Sequence, residues 1–124
     1  MDMQVVIKRC SMYKLYHNPN CSKSRAALKY IHESSIPCEV ITYLSAPLTE
    51  QDLLRVKKKL VQNKLELVRI TDKAFEALNL NHDLSENDIV PLLMEHPELM
   101  QRPILETENK AAIGRPLENI LNIL

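Results

Sequence analysis

The sequence predicts an α/β fold made of a β-α-β unit, a run of helices and a closing β-β-α unit. Three observations carry this. Short β-branched segments stand next to segments with apolar residues at helical spacing. Prolines and polar clusters mark the junctions, as in HNPN, Pro37 and SAPLTEQD. The 124 residues, 45% hydrophobic and 26% charged, are enough for a single core and argue against disorder.

Each element has its own reason. The first strand spans Tyr13 to Tyr16 and is stopped by HNPN with Pro19. A helix follows from about Ser22 to Ser34, with Ala27, Leu28 and Ile31 on one face. Pro37 breaks it, and Glu39 to Tyr43 (EVITY) has the composition of a second strand. Thr49 with Asp52 resembles a capping box, opening a helix to about Gln62 with a stripe of Leu53, Val56 and Leu60. A further helix covers Asp72 to Leu78. Ser85 caps another through Ile89, Leu93 and Met94, where Pro91 predicts a kink or a later start. Ile104 to Thr107 and Ala111 to Ile113 read as strands joined by the turn Glu108 to Lys110. Pro116 is expected at the first position of a last helix, with Leu117, Ile120, Leu121 and Leu124 on its face.

This order is the thioredoxin-like layout, with a helical insertion at about 48–100 between the second and third strands. Residues 1–124 are expected to form one domain, residues 1–12 being an N-terminal extension in which Met12 offers an alternative start. No repeat or low-complexity segment is present.

Composition narrows the function. Sixteen Lys+Arg against sixteen Asp+Glu leave no basic excess, which ranks nucleic-acid binding low. No apolar run approaches the roughly 18 residues of a membrane span, and the N-terminus lacks signal-peptide character. Three cysteines without regular spacing imply free thiols in a reducing compartment, so a cytoplasmic location is expected. No leftover apolar stripe calls for a partner copy, and a monomer is expected. The single glycine, Gly114, excludes a Walker loop or a dinucleotide fingerprint, each of which needs several. No bound cofactor is expected. An oxyanion would have to be held by a helix N-terminus and arginines.

Cys21 stands where the first strand passes into the first helix. Unpaired N–H groups at a helix start stabilise a thiolate and lower a thiol pKa into the range of about 3.5–7.5. His17 and Arg25 lie close in sequence and add candidate positive charge. The bland alternative, a buried small hydrophobe, fits poorly with the neighbours Asn20, Ser22, Lys23 and Ser24. Ser24 occupies the second cysteine position of a C-x-x-C dithiol, and Ala27 the arginine position of a C-x5-R phosphatase loop. A lone thiol forms an adduct that an external thiol must resolve.

The segment HNPNCSKSR (His17 to Arg25), with ITYLSAPLT, LVRITDKAFEAL, HPELMQRPIL and GRPLENIL, resembles the glutaredoxin-coupled arsenate reductases from about Tyr13 to Leu124. The family's thioredoxin-like core with a helical insertion agrees with the layout above. The resemblance implies Cys21 as nucleophile, with His17 helping to keep it ionised and Ser24 hydrogen-bonding the sulfur. It implies Arg69, Arg102 and Arg115 as oxyanion holders, with Asn18 and Arg25 of the same active-site segment beside them. Ile70 and Thr71 depart from the Lys-Asn that more often follows that arginine. Guanidinium groups suit a tetrahedral dianion through charge-assisted hydrogen bonds, although a surface salt bridge is the ordinary fate of an arginine. Pro103 falls where thioredoxin-like proteins carry a cis-proline, so a cis Arg102–Pro103 bond is expected.

The implied reaction is reduction of arsenate through a covalent Cys21–arsenic intermediate, with glutathione as co-substrate and glutaredoxin as partner. One rival keeps the thiol chemistry on another oxyanion or a glutathione mixed disulfide. Another is a non-enzymatic thiol-stress regulator binding RNA polymerase, whose members typically sense with C-x-x-C. Cys38 is expected to be structural, with Cys10 in the extension. His82-Asp83 reads as a surface loop rather than a metal pair, and VKKKLVQNK as a solvated helix face.

Overall fold

The structure, a computed structural model, describes residues 13–78 and 84–124. Within them the chain forms strands β1 (Lys14–Tyr16), β2 (Glu39–Ile41), β3 (Ile104–Glu106) and β4 (Ala111–Ile113). The helices are α1 (Ser22–Glu33), α2 (Glu50–Lys59), α3 (Lys73–Glu76), α4 (Glu86–Glu95) and α5 (Glu118–Leu121). The N-terminal extension, including Cys10, and the His82-Asp83 pair lie outside the described residues.

The sheet order is β2-β1-β3-β4. β1 runs parallel to β2 (Leu15 opposite Val40) and antiparallel to β3 (Leu15 opposite Leu105), and β3 pairs antiparallel with β4 (Leu105 opposite Ala112). Alternation along these three-residue strands separates two cores. Leu15 and Leu105 join Ala27 and Ile31 of α1 and Ile120 of α5. Tyr16, Ile104, Ala111 and Ile113 join Leu53 and Val56 of α2 and Ile89, Val90 and Leu93 of α4. The sheet is therefore the middle layer, with α1 and α5 on one face and the insertion on the other.

Both expected caps are present. Thr49 accepts from the Asp52 N–H while Asp52 accepts from the Thr49 N–H, and at α4 the Ser85 N–H and hydroxyl both donate to the Asp88 carboxylate while the Asp88 N–H donates to Ser85 O. Beyond shifts of a residue or two at other ends, three elements, β2, α2 and α5, differ from expectation. β2 stops at Ile41. α2 stops at Lys59, because Leu60 turns extended to bridge Ala111, and Gln62 uses its amide to pair both backbone groups of Ile113. α4 starts at Glu86 behind Ser85 as expected, its start not delayed, and Pro91 sits in its interior without an N–H for the Asn87 carbonyl. α5 starts at Glu118 rather than Pro116, since the chain enters through tight turns, Asn119 N–H to Pro116 O and Ile120 N–H to Leu117 O. Two 3₁₀ turns, Lys64–Leu67 and Pro97–Leu99, were not expected.

Gly114 is demanded by packing rather than by torsion. A Cβ there would come within 2.5 Å of the Ile120 side chain and 3.0 Å of Pro103.

Candidate active site

Cys21 is the N-cap of α1, with extended torsions and 8% exposure. Its carbonyl accepts the first helical bond from the Arg25 N–H, and its own N–H donates to Asn18 O. The sulfur therefore sits over the unpaired N–H groups of the first turn.

The lead-in turn is held by buried polar groups. His17 Nδ1 and Ser24 Oγ lie 2.7 Å apart, the Asn18 N–H donates to Ser24 Oγ at 3.0 Å, and the His17 N–H donates to Ile41 O. The Ser24 hydroxyl is thus committed to His17 and Asn18, and it is the Ser24 backbone N–H that addresses the sulfur. His17 differs from expectation as well. Burial and the Arg25 charge hold its pKa below the usual 6.5, so at neutral pH it orients Ser24 and brings no positive charge to Cys21. Asn18 accepts from the Asn20 N–H through its side chain. Arg25 is exposed and donates to Pro19 O. Both shape the turn.

Three arginines approach from three other segments. Residues Leu67 to Arg69 pair with Leu99 to Gln101, through Arg69 N–H to Leu99 O, Gln101 N–H to Leu67 O and a Val68–Met100 bridge. This pairing brings Arg69 close to Arg102. Arg102 precedes Pro103 through a cis bond, and Arg115 precedes Pro116 through a second cis bond that was not expected. Gly114 N–H donates to Pro103 O, and Arg115 Nε donates to Arg102 O at 2.8 Å. Arg115 Nη2 then lies 3.4 Å from Cys21 Sγ.

The electrostatics follow from this crowding. Burial alone would raise the Cys21 thiol, but the Ser24 N–H, the Arg102 guanidinium and the Lys23 N–H outweigh it and bring the pKa from 9.0 to about 7. Arg69 is itself pushed down by burial and by the charges of Arg102 and Arg115, with Asp72 at 2.9 Å as its only ion-pair partner among the described residues. Two guanidiniums, Arg102 and Arg115, act at the thiol without an ion-pair partner among the described residues, and Arg69, paired to Asp72, adjoins them, so the cluster carries excess positive charge, the condition for receiving an anion. A groove of about 400 Å³ opens beside them, lined by Leu65, Glu66, Ile70, Gln101, Ile113 and Arg115 among others.

Other candidates fall away. Cys38 is pushed up by burial to about 11, against the low value a reactive thiol needs. Lys59 of the basic run pairs with Glu106, and Lys57 donates to Glu86 O. No group of three metal-ligating side chains occurs among the described residues, and no helix there is long and apolar enough to cross a membrane.

Residues 16–123 match the model of the ArsC family. An arsenate reductase of Neisseria meningitidis serogroup A is 40% identical over 113 residues, covering 90% of this chain and 97% of that protein. The uncharacterized protein YfgD of Escherichia coli K12 is also 40% identical, over 90% of this chain and 95% of its own. Among solved structures, an arsenate reductase from Vibrio cholerae superposes with a TM-score of 0.82 at 35% identity, covering 90% of this chain and 97% of that one.

Proposed function

The chain belongs to the ArsC family, and from that premise we propose that it reduces arsenate to arsenite through Cys21, with glutathione and glutaredoxin as the source of electrons. The observation that carries this reading is the Arg115 guanidinium 3.4 Å from the Cys21 sulfur, with Arg102 and Arg69 clustered beside it. An anionic nucleophile can meet an anionic substrate only where preorganised positive charge offsets their repulsion.

Cys21, half ionised at neutral pH, attacks the arsenic. An As–S bond forms and one oxygen leaves as water after protonation, the arsenic remaining As(V). The thiol of glutathione displaces a second oxygen as water, giving an S–As–S adduct. The glutaredoxin thiolate attacks the glutathione sulfur, and the electron pair of the breaking S–As bond stays on arsenic, now As(III). Glutathione departs as a mixed disulfide with glutaredoxin. Water cleaves the remaining As–S bond, releasing arsenite and returning the Cys21 thiol. The groove beside Arg115 gives the tripeptide thiol a route to the adduct, and its 400 Å³ exceeds what an oxyanion alone requires.

The test is arsenate-dependent NADPH oxidation coupled through glutathione reductase, glutathione and glutaredoxin. Wild type is expected to turn over and Cys21→Ser to show none. A wild type that is inactive although Cys21 alkylates at neutral pH would reject arsenate reduction in favour of another substrate.

A further inference from the structure

β4 is an edge strand, and Gly114 and Arg115 follow it at once. Its outer edge is covered by the segment that leaves α2. Leu60 bridges Ala111, and the Val61 N–H donates to Ala111 O at 2.9 Å. At Ile113 this backbone pairing gives way to a side chain. Gln62 Nε2 donates to Ile113 O at 2.9 Å, and Gln62 Oε1 accepts from the Ile113 N–H at 3.0 Å. One planar amide carries a donor and an acceptor, so it offers what the next peptide of a neighbouring strand would offer.

Arg115 stands two residues further on. Between them lies Gly114, the residue type with the widest backbone freedom, so the direction of the chain past it depends on what is fixed on either side. Downstream, Asn119 Nδ2 donates to Arg115 O at 3.1 Å and Arg115 Nε donates to Arg102 O at 2.8 Å. Upstream, β3 flanks Ile113 on one side and Gln62 holds it on the other. The guanidinium aimed in this way ends 3.4 Å from the Cys21 sulfur.

We propose that Gln62 is a positioning residue for Arg115, clamping the end of β4 so that the guanidinium reaches Cys21. This rests on the Arg115–Cys21 contact of the reading above and adds to it a residue that acts through the backbone of β4.

The test compares iodoacetate with iodoacetamide as alkylating agents at pH 7, followed on the Cys21 peptide by mass spectrometry. Both reagents need the thiolate, so the ratio of their rates cancels its fraction and reads the positive charge that an anion meets at the sulfur. Arg115→Ala is expected to lower this ratio about fivefold, and Gln62→Met, of similar length without either bond, about threefold. Gln62→Met added to Arg115→Ala should lower it no further, because the effect passes through the guanidinium. Thr49→Ala, which removes the α2 cap and lowers the melting temperature, should leave the ratio unchanged. A ratio unmoved by Gln62→Met or by Arg115→Ala, a further fall in the double variant, or an equal fall in Thr49→Ala would each overturn the proposal. The ratio needs no arsenate, so a lack of turnover in the coupled assay would reject the reductase reading alone.

Discussion

At Cys21, burial works against the thiolate while two backbone N–H groups and the Arg102 guanidinium work for it, and the sum favours ionisation. Because the thiol is an acid whose pKa is lowered, its reactivity should rise with pH and reach half-maximum near 7. Arg102→Ala removes one of the forces holding the value down, so the midpoint should move upward. A rise of about one unit would slow alkylation at pH 7 roughly fivefold, since the thiolate fraction falls from about half to about a tenth. A pH–rate profile with iodoacetamide measures this directly, and an unmoved midpoint would assign the effect to the helix N-terminus alone. The thiol was legible in the sequence because a cysteine among polar residues at a strand-to-helix junction has few other uses. The partners of Ser24 were not, because a hydroxyl's choice between a sulfur and an imidazole is settled by burial.

Among the elements, the end of α1 shows what a shortage of glycine means. The Ile36 N–H bonds Ile31 O and the Ser35 N–H bonds His32 O, the pair of bonds that closes a helix through a left-handed residue. That residue is Ser35, at φ 56°, where glycine is the usual occupant. Ser35→Gly should relieve the Cβ clash and stabilise the protein by about 0.5–1 kcal/mol, after the greater freedom glycine gives the unfolded chain is deducted. Urea unfolding reads this as a higher midpoint at constant slope, and a lower midpoint would show that the turn tolerates serine without strain. The long helices and their caps were legible because their signals are local. The pairing of Leu67 to Arg69 with Leu99 to Gln101 was not, since its partners are far apart in sequence and each run is too short to show a period. That pairing nonetheless sets the position of Arg69.

Across the whole molecule, the insertion is clamped to the sheet by one buried carboxylate. Glu106, 2% exposed on β3, accepts from Arg55 at 2.6 Å and Lys59 at 2.7 Å, both on α2, and from Tyr16 on β1. Burial would raise its pKa, but these donors outweigh it and hold the carboxyl at about 2, below its ordinary 4.5. Its contribution is therefore complete above about pH 4.5 and lost as the pH falls toward 2. Glu106→Gln should cost about 2–3 kcal/mol at pH 7, less than a fully buried ion pair because Arg55 and Lys59 keep some contact with water. In urea titrations at pH 7 and pH 3 the gap between wild type and variant should narrow at the lower pH. A gap independent of pH would mean that shape, not charge, is the contribution. The succession of elements was legible in the β-α-β and β-β-α pattern, but which strands pair was not, since three-residue strands carry no register signal and a charged residue facing the core, Glu106, breaks the alternation that makes strands readable.

The middle position of the sheet has one more consequence. Cys21 is carried by the helix on one face, while Arg69, next to the core residue Val68, comes from the layer on the other. A chain whose insertion is undocked keeps the α1 N–H groups and Arg102 that hold the Cys21 thiol down, but it lacks Arg69. The thiolate and the full cluster of cations are in this way separate stages of assembly, and the third arginine is the mark of a completed docking.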